Sequence, residues 1–130
     1  MTSPKTVLII DDDPDYVKAV GALLQGAGYV VHSAASGAEG LRLARSLGPD
    51  LVLLDVIMGD PHEGFSILRQ MRAVPALART PVVIVSSLYT NDLPVFQVSP
   101  DGGWIPADLI LPKPVDPARL LAEAARLTNR

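Results

Sequence analysis

The chain has 130 residues, enough for one domain, and is 48% hydrophobic and 19% charged, which excludes a disordered chain. A net charge of −3, from 11 basic and 14 acidic residues, gives no electrostatic reason to hold nucleic acid, and zero cysteines exclude disulfides, thiolate metal sites and cysteine nucleophiles. The longest apolar runs, such as Val7-Leu8-Ile9-Ile10, are four residues long, against roughly 20 for a membrane-spanning helix.

The N-terminus, Met1-Thr2-Ser3-Pro4-Lys5, lacks the long apolar stretch of a secretory signal. These features predict a cytoplasmic protein with no membrane or nucleic-acid partner, a single domain over residues 1–130 with its core at about 5–127.

Thr6 to Ile10 is a short β-branched run suited to a strand buried on both faces. A helix follows over Asp15 to Ala27, with Val17, Val20, Leu23 and Leu24 at helical spacing and Asp15 capping or beginning it. Tyr29 to Ser33 is a second strand. Ser36 is a good N-cap for a helix through Leu47 that Gly48-Pro49 stops. Asp50 to Asp55 contains the third strand, and a Gly-, Asp- and Pro-rich loop from Val56 to Gly64 precedes a helix over about Phe65 to Val74. Pro81 opens a fourth strand, Val82 to Val85, and Asp108 to Leu111 is a fifth. Asp116 and Pro117 stand at the N-cap and first position of a last helix that buries Leu120, Leu121, Ala124 and Leu127.

Strands alternating with helices predict parallel strands joined by right-handed crossovers, an α/β open sheet with helices on both faces. Chemistry in such sheets sits beyond the carboxyl ends of the strands. There the first strand ends in Asp11-Asp12-Asp13, the third in Asp55, the fourth in Ser86-Ser87, and the fifth is followed by Lys113-Pro114. Any one such Asp is commonly a helix cap or turn residue. Two acidic ends, a hydroxyl and an ammonium on one rim are a more specific signal.

These residues resemble the receiver domain of bacterial response regulators. The resemblance runs from Lys5 to about Leu127 and is carried by Val7-Leu8-Ile9-Ile10-Asp11-Asp12-Asp13-Pro14, Pro49-Asp50-Leu51-Val52-Leu53-Leu54-Asp55, Pro81-Val82-Val83-Ile84-Val85-Ser86 and Lys113-Pro114. It implies a flavodoxin-like (CheY-like) five-stranded parallel sheet of order 2-1-3-4-5. It implies a phosphorelay function, with Asp55 accepting a phosphoryl group from a histidine kinase or histidine phosphotransfer protein and output by protein contact. The implied cofactor is Mg²⁺ (or Mn²⁺), with Asp12 and Asp55 as direct ligands, Asp11 acting through water, and the backbone carbonyl of Ile57 completing the set. Lys113 would pair with Asp55 and then with the phosphoryl group, Ser86 would donate a hydroxyl hydrogen bond to it, and Lys113–Pro114 is a candidate cis bond. Asp13 is either a solvated turn residue or a member of the metal site. His32 is an ordinary strand residue, and His62 lies on the loop beside the site.

The chain also departs from the family pattern. The loop after Asp55, with Met58-Gly59-Asp60-Pro61-His62-Glu63, is about one residue longer than usual. From Ser86 to Lys113 is 27 positions, with Pro94, Pro100, Pro106 and an Asp101-Gly102-Gly103-Trp104 run, so a fourth helix there is expected to be irregular. Trp104 is placed equally well on a surface or in the core. Ile110 stands where receivers carry a switching aromatic. Ile57 and Leu88 occupy the two positions that set phosphoryl lifetime, and both are apolar, which predicts a long-lived phospho-aspartate; a decay half-life of seconds would contradict it. Two other readings are a degenerate receiver used only for binding and a haloacid-dehalogenase-like phosphatase. For the latter the motif beginning Asp11-x-Asp13 lacks the Thr or Val expected at position 15. On the first reading the protein is no enzyme beyond its own phosphorylation and dephosphorylation.

Overall fold

Alternation at period two decides the architecture. A computed structural model describes residues 4–55, 61–86 and 107–129, and of Pro61, His62, Glu63 and Ser86 the main chain alone. Its elements are β1 (Thr6–Ile10), α1 (Pro14–Gly26), β2 (Val30–Ala34), α2 (Gly37–Leu47), β3 (Leu51–Leu54), α3 (Pro61–Ala73), a short 3-10 turn at Pro75–Leu77, β4 (Val82–Ser86), β5 (Leu109–Pro112) and α4 (Pro117–Thr128). All strands run parallel in the order β2-β1-β3-β4-β5.

Each central strand is buried on both faces, and successive side chains enter different cores. Leu8, Ile10, Val52, Leu54, Val82 and Ile84 face Ala44 of α2 and Phe65, Ile67, Leu68 and Met71 of α3. Val7, Ile9, Leu51, Leu53, Val83 and Val85 face Val20 and Leu24 of α1 and Leu120, Ala124 and Leu127 of α4. Full burial of a side chain such as Phe65 or Leu8 stabilises by about 1.5–3 kcal/mol. One approach is unusually close: a Cβ on Gly40 of α2 would fall 2.5 Å from Cδ1 and 2.9 Å from Cγ2 of Ile10, so the helix lies against β1 only because residue 40 has no side chain.

Helix ends follow local chemistry. Ser36 caps α2, accepting from the Glu39 N–H at 3.2 Å, and Gly48 ends it in the left-handed region at φ 59°, donating to the Ala44 carbonyl. Several expectations need correction. The cap of α1 is Asp13 rather than Asp15: its Oδ1 accepts from the N–H groups of Asp15 (3.0 Å) and Tyr16 (3.3 Å), and Pro14 takes the first helical position. Residues 61–64 are helical rather than loop, since Pro61 opens α3 at a position whose missing N–H costs nothing. Asp116 precedes α4 as expected, but its side chain makes no capping bond among the described residues, and Leu121 is only half-buried. β2 and β5 each start and end one residue later than the sequence pattern implied. The irregular fourth helix, Leu88 and Trp104 lie outside the described residues. Among the described residues no helix is long and apolar enough to cross a membrane.

Candidate functional site

The strand register places the chemistry. Ile10 of β1 pairs with Leu54 of β3, so Asp11 and Asp55 stand on the next rung of adjacent strands. The sheet's hydrogen bonding continues through them: Asp55 N–H donates to the Ile10 carbonyl (2.9 Å) and Asp11 N–H to the Ala34 carbonyl (3.0 Å). Both acids are buried, Asp11 at 3% and Asp55 at 6% exposure, whereas Asp12 beside them is exposed. One carboxylate oxygen from each of Asp11, Asp12 and Asp55 lies within 4.8 Å of the others.

Such a cluster repels itself, by roughly 3.5 kcal/mol per pair at that spacing and an effective dielectric near 20. Part of the answer is Lys113, which follows β5. Its Nζ donates to Asp11 Oδ2 at 2.8 Å and to Asp55 Oδ2 at 3.4 Å. Partial burial works against the ammonium, yet its hydrogen bond to Asp11 and the charges of Asp11 and Asp55 outweigh that and hold its pKa above the ordinary 10.5. Asp11 uses its other oxygen, Oδ1, to accept from the Asp13 N–H at 2.9 Å. The remaining answer is chemical: three carboxylates are an all-oxygen donor set suited to a hard divalent cation.

The structure therefore brings Asp11, Asp12, Asp55 and Lys113 together. Ser86 ends β4 paired in register with Pro112, which puts position 86 on the same rim, one residue from Lys113. The Lys113–Pro114 peptide is cis. Ile57 lies outside the described residues, and for His62 the main chain alone is described, within α3. Asp13 is settled as the α1 cap and is not part of the acidic cluster. Lys113 pairs with Asp55 at 3.4 Å, as the family pattern implies, and also with Asp11 at 2.8 Å. Ile110 packs half-buried against the α2–α3 core, and His32 is an exposed β2 residue.

Sequence reasoning missed two residues. Tyr16 packs its ring against the ammonium of Lys113, 4.2 Å from Nζ to the ring centroid. The available signal was its place in the first turn of the helix that leaves the Asp11-Asp12-Asp13 strand end. Arg72, at the end of α3, donates from Nη1 to the carbonyls of Leu77 (3.2 Å), Ala78 (3.4 Å) and Thr80 (2.6 Å) and pairs with Asp108 at 3.3 Å. Asp108 in turn accepts from the Val82 N–H at 2.9 Å, fastening the starts of β4 and β5. That bond set joins residues up to 36 apart and had no local signature.

Comparison with known proteins agrees with this geometry. Residues 7–125 match the family model of the response regulator receiver domain. The DNA-binding dual master transcriptional regulator RpaA of Synechocystis is 35% identical over 124 residues, covering 95% of this chain but 49% of that protein, so the chain spans about half of its relative's length. The crystal structure of a putative response regulator from Chloroflexus aurantiacus superposes with a TM-score of 0.83 at 28% identity, covering 98% of this chain and 99% of the other. The receiver domain of the sensor histidine kinase PA1611 from Pseudomonas aeruginosa, solved with a magnesium ion in its active-site cleft, shares the fold with a TM-score of 0.82 at 23% identity, covering 98% and 99% of the two chains. On the family-model match over residues 7–125 and the five-strand order seen in the fold, the chain belongs to the response regulator receiver domain family of two-component signalling.

Proposed function

We propose that this receiver domain accepts a phosphoryl group on Asp55 from a histidine kinase or histidine phosphotransfer protein, with a divalent cation, and signals by protein contact. The observation that carries this reading is the gathering of three carboxylates within 4.8 Å against one lysine ammonium at 2.8 and 3.4 Å. An Asp55 oxygen attacks phosphorus, the new O–P bond forms as the P–N bond breaks, and the electron pair leaves with the imidazole nitrogen, which takes up a proton. Lys113, 3.4 Å from Asp55 Oδ2, stands where its ammonium would pair with the negative phosphoryl oxygens as the group arrives. Both Asp11 oxygens accept hydrogen bonds, from Asp13 N–H and Lys113, which disfavours Asp11 as the attacking group of a phosphatase.

The donor set fits Mg²⁺, which when bound supplies positive charge against both the cluster and the phosphoryl oxygens. Asp12 and Asp55 would hold it directly, Asp11 through water, with the Ile57 carbonyl as the main-chain ligand. That the receiver domain of PA1611 carries magnesium in its cleft agrees with this choice. Ser86, on the same rim, would hydrogen-bond the arriving phosphoryl group. On this reading the protein turns over no separate substrate. An apolar groove of about 570 Å³ between α1 and the β5–α4 junction, with Lys113 on its lining, gives a phosphodonor protein surface to bury.

Incubation with phosphoramidate and Mg²⁺ followed by intact-mass measurement tests the reading. The native chain should gain one phosphoryl group and Asp55→Asn none. Equal labelling of Asp55→Asn would refute the assignment.

A further inference from the structure

We propose that Tyr16 is a positioning residue for Lys113: its ring forms the third wall of a seat that holds the lysine ammonium against Asp11 and Asp55. The inference rests on the phosphoacceptor reading above for its kinetic consequence, but not for its geometry. Lys113 carries its charge on a flexible four-carbon stem, and its side chain is 18% exposed. Two carboxylates draw the ammonium in one direction, at 2.8 and 3.4 Å. They do not stop it from turning toward solvent.

The Tyr16 ring does. At 4.2 Å from the centroid, Nζ lies well inside the roughly 6 Å range over which a ring's negative face attracts a cation. The ring is held by the first turn of α1, where the Tyr16 N–H donates to the capping Asp13 carboxylate. That helix is fixed in turn by buried Val20 and Leu24. The seat thus connects one strand end to another through a helix cap.

The hydroxyl points to the ring as the working part. Tyr16 Oη is buried and makes no hydrogen bond among the described residues. An orphaned buried hydroxyl costs stability, so the side chain is not explained by its polar end. Burial, and then the charges of Asp11 and Asp55, push the phenol pKa far above its ordinary 10.0, so the ring stays neutral while Lys113 is charged.

The test compares Tyr16→Leu, which keeps apolar bulk and removes the ring, with Tyr16→Phe, which keeps the ring. Nuclear magnetic resonance of the full chain reads the seat without any phosphoryl chemistry. The Lys113 ε-methylene protons should be shifted upfield by the ring in the native chain and in Tyr16→Phe, and should lose that shift in Tyr16→Leu. Labelling of Asp55 by phosphoramidate with Mg²⁺ should slow roughly tenfold in Tyr16→Leu and recover in Tyr16→Phe. In a Lys113→Gln background the leucine should slow labelling no further, whereas a merely structural role would subtract in both backgrounds. Should Tyr16→Leu fail to fold, Tyr16→Met serves in its place. Unchanged Lys113 signals, an unchanged labelling rate, loss in Tyr16→Phe equal to that in Tyr16→Leu, or the same loss without the lysine would each overturn the proposal. Absence of labelling in the native chain would instead strike the phosphoacceptor reading, leaving the resonance data to judge the seat.

Discussion

Replacing Asp12 by Asn should make the metal-free protein more stable and the metal-loaded protein relatively less so. Asp12 contributes a carboxylate oxygen within 4.8 Å of those of Asp11 and Asp55. At an effective dielectric near 20 each of its two repulsions is roughly 3.5 kcal/mol. Asp12 is exposed, so solvent and salt reduce their sum to about 1 kcal/mol. In buffer with a chelator, Asp12→Asn should therefore raise the midpoint of thermal unfolding by about 4 °C. Magnesium changes the ranking. A cation at a hundredfold excess over its dissociation constant stabilises the native chain by about 2.7 kcal/mol, and the variant, short of one anionic ligand, should gain much less. Differential scanning calorimetry with chelator and with a magnesium series measures both. A variant less stable than the native chain without metal, or one that gains as much from magnesium, would refute the reasoning that the acids form one self-repelling cation site.

Further outcomes follow from the packing and charge set. Gly40→Ala removes a helix penalty of about 1 kcal/mol but drives a Cβ into three Ile10 atoms at 2.5, 2.7 and 2.9 Å; overpacking should win, with a net loss of about 1–2 kcal/mol in urea unfolding, while Gly26→Ala, with nothing within 4 Å, should be neutral or stabilising. Arg72→Met removes a donor from the carbonyls of Leu77, Ala78 and Thr80 and from Asp108, of which Leu77 keeps the Thr80 N–H and Asp108 the Val82 N–H, and should cost about 2 kcal/mol by the same assay. Lys113 and Tyr16 both have folded pKa values raised above their ordinary 10.5 and 10.0, so their stabilisation is complete below those values and is lost as pH rises through the folded ones; unfolding free energy should fall above about pH 10, less steeply in Tyr16→Phe, as a pH series of urea titrations would show.

The sheet was legible because its central strands are short apolar runs buried on both faces, and because Ser36, Gly48 and Pro117 punctuate helices by local chemistry. The rim was legible because a parallel sheet puts all its carboxyl strand ends on one side, which assigns Asp11, Asp55 and Lys113 to one edge from their places in the sequence alone. Composition misled where a residue type has two uses: Pro61 and Gly64 have the composition of a loop but lie in a helix, and Asp13 faced an open choice that its bonds to Asp15 and Tyr16 resolve. The Tyr16 ring and the Arg72 clasp were out of reach for another reason. Each depends on which side chain meets which across the sheet, at separations that periodicity does not encode.

Asp11 and Asp55 donate their own N–H groups across to Ala34 and Ile10. The pitch between these two acids is consequently the lateral repeat of pleated backbone, about 4.8 Å, and no loop can retune it. Main-chain drift is closed to them as a way of relieving their mutual repulsion, which leaves neutralisation from outside as the available remedy. Anyone grafting this acidic rim onto another parallel scaffold would need to copy two adjacent strand termini in register, and could leave the connecting segments to suit the host.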